Sequence, residues 1–317
     1  MILNGFFSKK EIISKLIISI LFVFLLLSPW IGDLKFNYDI NLYLDLNHCL
    51  KNGFYKCILD NEIFLYLLKT VFRNVDNKIL LITTYDLIIT FLFCSLFYFV
   101  NNIKSFLSIL LFTFFSIFAG QFREAFGIAL GIIVLNLFLH NKKKYQVILA
   151  LIFFIHFYTF LFILFILFSI SILEKHKSKS FNLYLLLVLL MFFFVFHTIS
   201  DRLNYYLKPT GNFAFSSILL LLLSLILYKN LKNLSVLFIL ISLFCIVLIR
   251  YYHLSTRISE ISIFFLILLT DYYSRTSPKL KEYIKQTNII AVLFFVYKFF
   301  TFFLKIYTIH DMVVFIN

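Results

Sequence analysis

The sequence predicts an all-α, polytopic integral membrane protein, and three observations predict it. Hydrophobic residues make up 62% of the chain, against about 45–50% in a soluble globular domain. Only 14% of residues are charged, and mean hydropathy is +0.98. The apolar residues gather into runs near the length that a helix needs to cross hydrocarbon, about 20 residues, and the basic residues fall in short connections between them. A net charge of +14 invites a nucleic-acid reading, but that reading requires a basic patch on one soluble face. Here the charge is a topology signal, and no nucleic acid is expected. The 45 Phe residues serve as large apolar side chains and are not read as a stacking surface.

The elements follow in order. Lys9, Lys10 and Lys15 surround the start of an apolar run that ends at Ser28, Pro29 and Trp30. No small-residue cleavage site follows, so residues 12–30 read as a first span rather than a signal peptide. Residues 33–78 carry too much charge to insert, although 58–72 hold enough apolar residues for an amphipathic helix lying on a membrane surface. Spans are then expected at 79–100, 105–119 and 125–140. The last two are short, which places Gln121, Phe122, Arg123 and Glu124 in a tight turn between them.

Residues 146–173 read either as one tilted helix or as a paired short-helix hairpin with His156 near its tip, and charge decides between them. Two crossings put Lys104, Lys142, Lys144, Lys175, Lys229 and Lys279 on one side, which the positive-inside rule favours. The remaining spans fall at 181–200, 213–228, 234–249, 258–270 and 287–304. The expectation is a single polytopic domain over 1–317 with about 10–11 helices, a cytoplasmic N-terminus and an outward C-terminus.

The other side collects residues 33–78, the 121–124 turn, His156, and the stretches around Arg202 and Arg257. Most of its basic residues beyond the long loop are Arg. A guanidinium pairs in bidentate fashion with phosphate oxygens and keeps its charge at any relevant pH. Three of the chain's seven glycines, Gly120, Gly127 and Gly131, flank Arg123 and Glu124. Arg123 opens a helix whose free N–H groups and positive dipole end favour an anion. Gly127 and Gly131 form a small-residue spacing that lets a second helix approach closely. The plainer alternative is an Arg at a helix end paired with Glu124. Arg250, His253, Arg257 and Glu260 fall on one face of a continuous helix, as a second anion clamp or as part of an exposed loop.

His156 is either a hydrogen-bonded structural residue or a general base, since its pKa lies near neutrality. Asp39, Asp45 and Glu62 are loop carboxylates able to bind a polar substrate. Asp86 lies inside an apolar span and needs a partner. Cys49 and Cys57 share one polar loop, where a disulfide is open, while Cys94 and Cys245 lie in apolar runs. No CxxC pair or Asp-x-Asp motif occurs, so neither a zinc site nor a metal-held sugar nucleotide is expected. Phosphate-binding glycine loops, zinc-protease helices and nucleophile elbows are also missing.

Asp39 followed by Tyr43, Glu62 ahead of an apolar segment, QFREAFGIALGIIVL from Gln121, a lysine turn at 142–144, and IFFIHFYTF around His156 together resemble the EpsG-like branch of the Wzy-type polysaccharide polymerases. The resemblance runs in order over roughly residues 39–260. It departs from the family pattern at Glu124, where a Gln is usual, and at Ile63 and Phe64, where Pro-Gly is usual.

The resemblance implies a GT-C-like membrane glycosyltransferase at the outer face of the bacterial inner membrane. Such an enzyme polymerises oligosaccharide repeat units carried on undecaprenyl pyrophosphate, with no cofactor and no required metal. Combined with the residue reading, it assigns the pyrophosphate to Arg123, Arg250 and Arg257, and the acceptor hydroxyl to His156 or Glu124. Asp39, Tyr43, Glu62 and Gln121 are left for the glycan. Expected partners are the lipid-linked oligosaccharide, the bilayer, and a chain-length regulator and flippase of the same pathway. The competing classes are a transporter or flippase of lipid-linked sugars, which would show repeat symmetry and midplane charges, and a membrane acyltransferase using a His.

Overall fold

The computed structural model describes residues 9–27, 70–72, 74–75, 77–114, 122–140, 142, 144–155, 157–173, 215–229, 231–248, 251–275 and 278–316. Among the described residues the chain is all-helical, with ten helices and no strand. They are α1 Lys9–Leu27, α2 Asn77–Phe99, α3 Ile103–Thr113, α4 Phe122–Leu139, α5 Tyr145–Ile155, α6 Phe157–Leu173, α7 Phe215–Leu227, α8 Lys232–Val247, α9 Tyr252–Tyr273 and α10 Pro278–Ile316.

The polytopic membrane architecture, the GT-C-like arrangement and the multi-pass inner-membrane location expected from composition are corrected here. Among the described residues no helix is long and apolar enough to cross a membrane. The α3 and α5 helices have 11 residues, α7 has 13 and α8 has 16, short of the 17–25 that a span takes. Several longer helices carry charge within their length: Lys15 in α1, Asp86 in α2, Arg123 and Glu124 in α4, and Arg257, Glu260 and Asp271 in α9. Of the surface helix expected at 58–72 only residues 70–72 are described, and the span expected at 181–200 lies outside the described residues.

Helix α9 is the hub, packing against α3, α7, α8 and α10. Every residue from Ser259 to Asp271 is buried, the pattern of a helix enclosed by others on all sides. Within that stretch the buried hydroxyls are satisfied locally: Ser262 donates to Ile258 O at 2.6 Å and Thr270 to Leu266 O at 2.7 Å. Ser and Thr accept this back-bonded geometry inside helices, so burial leaves them paired.

Contacts between side chains fix the direction of most helices. Asp271 near the end of α9 accepts from the backbone N–H groups of Asn101 and Asn102 at 2.8 and 2.9 Å, at the start of α3. The same end holds the contact of His140 with Tyr272, ring centroids 6.2 Å apart. At the opposite end Glu260 of α9 meets Lys298 of α10. Ser216 and Ser217 of α7 bond Ser259 and Ser255 at 2.6 and 2.9 Å, while Leu223 and Leu227 reach Leu266 and Thr270 across a shared cavity. So α7 runs parallel to α9, and α3, α8 and α10 run against it.

Two glycines set how α4 sits. A Cβ on Gly127 would stand 3.2 Å from Thr159 Cβ, and one on Gly131 would overlap Ile163 Cδ1. Helices α4 and α6 are therefore parallel and closely apposed, as a Gly-x-x-x-Gly stripe allows. Helices α5 and α6, separated by His156 alone, run in opposite senses, and both pack on α4. Pro278 occupies the first turn of α10, where its missing N–H costs no helical bond.

Outward faces are apolar too. Val236, Leu240, Leu243, Phe244 and Val247 form one exposed stripe on α8, and Ile289, Val292, Leu293, Val296 and Phe300 form another on α10. Contiguous exposed apolar area marks a surface that associates with something apolar.

Candidate functional site at the Arg257 end

The bundle has two chemically different ends. At the Asp271 end Lys15 is buried and donates from Nζ to the carbonyl of Val100. Its ammonium lies 5.8 Å from the ring centroid of Phe97 and 6.0 Å from that of Phe106. Burial lowers the Lys15 pKa to about 8, opposed by attraction to Asp271 and Glu11. Burial likewise raises the Asp271 carboxyl, opposed by the N–H groups of Asn101 and Asn102. Those two donors belong to the N-terminus of α3, so a carboxylate there also meets the favourable end of a helix dipole. Four elements are tied at this point by groups that stabilise one another, and the arrangement reads as structural.

The Arg257 end gathers the helix N-termini of α4, α6, α7 and α9. Gly131 and Phe265 are neighbours across the bundle. Arg257 lies about 12 Å from Phe265 along α9, and Glu124 about 10 Å from Gly131 along α4, at 1.5 Å per residue. The parallel run of α4 and α9 puts both at one level. Glu124 is 3% exposed and stands in the first turn of α4, where the helix dipole supports a negative charge. Arg123 precedes it in the same turn. Thr159, fully buried, stands against Gly127 from α6.

Arg257 is half-buried on α9. Glu260 follows one turn later on the same face and binds Lys298, Nζ to Oε1 3.2 Å, with side chains 7% and 25% exposed respectively. The Lys298 ammonium also lies 5.4 Å from the Phe294 ring centroid, a cation–π contact. Two cations and one carboxylate thus lie toward this end of α9 and α10. That composition favours a multiply charged anion, which takes bidentate bonds from a guanidinium and a point charge from an ammonium.

The structure brings Glu124, Arg257 and the backbone of Arg123 to this end. His156, Arg250, Asp39, Tyr43, Glu62 and Gln121 lie outside the described residues, as does the side chain of Arg123. Lys298 was missed by sequence reading; its only signal is a cation within the span expected at 287–304. Asp86 has one buried carboxylate oxygen without a hydrogen-bond partner, and burial raises its pKa. Among the described residues no group of three or more His, Cys, Asp or Glu side chains is placed to hold a metal ion.

Compared with known proteins, the chain matches no family model, no curated protein and no solved structure.

Proposed function

We propose that this protein is a glycosyltransferase that polymerises oligosaccharide repeat units carried on a polyprenyl pyrophosphate. The observation that carries the reading is the placement of Arg257, Glu124 and the first turn of α4 at one end, where four helix N-termini also point. A pyrophosphate leaving group gains charge as the anomeric bond breaks, and preorganised donors aimed at that charge lower the barrier. The acceptor hydroxyl oxygen attacks the anomeric carbon. The bond from that carbon to the pyrophosphate oxygen breaks with its electron pair leaving on pyrophosphate, and the hydroxyl proton passes to Glu124 or His156. No nucleotide sugar and no metal enters this scheme. The ordered resemblance over residues 39–260 to EpsG-like polymerases favours the same chemistry, and the apolar stripes on α8 and α10 suit a donor with a polyprenyl tail.

Arg257→Ala and Arg123→Ala, expressed at unchanged protein level, test the reading through the length distribution of the polymer. Each lost charge-assisted contact is worth about 1.5–3 kcal/mol, so polymerisation is expected to slow by about tenfold or more and the ladder to collapse toward single units. Wild-type ladders from both variants contradict the assignment.

A further inference from the structure

We propose that the Asp271 end of the bundle, with the outward faces of α1, α8 and α10 next to it, docks on a lipid surface rich in anionic headgroups. The inference rests on these surfaces alone and does not use the transfer reaction above.

Exposed lysines from five places in the chain meet at that end. Lys104 follows Asn102 at the start of α3, where Asp271 is bound. Lys142 and Lys144 follow His140, whose ring meets Tyr272. Lys229 comes just after Leu227, and Lys279, Lys281 and Lys285 surround Ile284 at the start of α10; Leu227 and Ile284 line one cavity with Thr270. On α1, Lys15 reaches Val100 before α3 while Phe22 meets Phe114 at its far end, so Lys10 lies at the Asp271 end. All eight lysines are exposed. The described acids of that end are Glu11, Glu282 and the buried Asp271, so lysines dominate it. Attraction to an anionic lipid surface strengthens binding by about fivefold per lysine.

Lysines alone suit any polyanion, and what lies beside them selects lipid. Ile13, Ile17, Ile20 and Leu21 form an exposed apolar stripe on α1, next along the helix from Lys10. The α10 stripe begins at Ile289, one turn beyond Lys285. Helix α8 also starts at this end, because Ser255 near the start of α9 donates to Cys245 O near the end of α8. Its stripe begins at Val236. Each stripe therefore leads away from the lysines in the same sense. Tyr98 at the end of α2 and Tyr228 just after α7 are 50% and 41% exposed, amphipathic rings of the kind that sit at headgroup level.

A nucleic-acid duplex or an acidic protein meets one rigid face. Helix α1 packs on α2 and α3, and α8 on α6, α7 and α9, so the stripes lie on different sides of the bundle, where a fluid apolar medium covers them together. Interfacial contact of this kind buries apolar side chains about 5–10 Å into the boundary between headgroups and acyl chains and needs no crossing helix.

The test is co-flotation of the purified full-length chain with vesicles of phosphatidylcholine, alone or mixed with an equal part of phosphatidylglycerol. Binding to the mixed vesicles is expected to be stronger by about tenfold or more and to weaken as salt rises. Lys281→Gln with Lys285→Gln should weaken it by about twenty-five-fold and leave binding to phosphatidylcholine unchanged. Leu293→Ser with Val296→Ser should weaken binding to both vesicles. These four side chains are exposed, and wild-type unfolding midpoints are expected from both variants. Equal binding of the wild-type chain to the two vesicles, or wild-type binding by either variant, overturns the proposal. So does binding to polyglutamate or duplex DNA with none to vesicles, which identifies an acidic protein or a nucleic acid as the partner.

Discussion

Gly131 is where a single methyl group gives the most informative perturbation of the packing that positions α4. In Gly131→Ala the new Cβ overlaps Ile163 Cδ1 and comes within 3.3 Å of Phe265 Cζ. Ile163 and Phe265 are both 1% exposed, so the Ile163 tip has little room to swing. Two effects oppose each other. Ala favours a helix interior over Gly by about 0.8–1.0 kcal/mol, and overpacking a dense core costs about 1–3 kcal/mol. The expected net loss is about 1 kcal/mol. Ile163→Val removes the overlapping carbon itself and alone costs about 0.5–1.5 kcal/mol. In the double variant the clash disappears while the helix preference of Ala remains, so the pair should be at least about 1 kcal/mol more stable than the sum of the single changes. Denaturant unfolding of the four proteins measures this coupling. Additive losses would refute the close approach of α4 and α6 at Gly131.

Two further outcomes follow from buried groups. Lys15 has a folded pKa of about 8 against 10.5 ordinarily, so between those values the unfolded chain binds more protons and stability rises with pH. Lys15→Met should flatten that rise in unfolding curves measured from pH 8 to about 10, and parallel curves would contradict it. Cys94 is exposed, whereas Cys245 is buried with its thiol pushed up to about 12. Alkylation near pH 8 followed by peptide mass spectrometry should mark Cys94 in the native protein and Cys245 only after unfolding, because the thiolate is the reactive species.

Much of the element order was legible in the sequence. The runs at 79–100, 213–228 and 234–249 correspond within a few residues to α2, α7 and α8, because apolar residues bounded by polar turns mark a helix whatever surrounds it. Surroundings were less legible. A run of apolar residues has the same composition whether it is enclosed by other helices or by lipid, and the 11 and 13 residues of α3 and α7 fall in the range of enclosed helices. Helix α9 was expected over 258–270 but spans Tyr252–Tyr273. The trimming came from its charges, and their partners lie far along the chain: Asn101 and Asn102 for Asp271, and Lys298 for Glu260. At the candidate site Arg257 and Glu124 stood out as charges in apolar settings, while the pairing of Glu260 with Lys298 depends on a helix packing that no local pattern encodes.

Glycosyl transfer from a lipid pyrophosphate is tested most directly by giving the purified wild-type chain lipid-linked oligosaccharide repeat units and resolving the products by size. Stepwise lengthening by whole repeat units, with release of polyprenyl pyrophosphate and loss of both in Arg257→Ala, is the expected result. Unchanged oligosaccharide with the wild-type protein, or equal lengthening by Arg257→Ala, would contradict it.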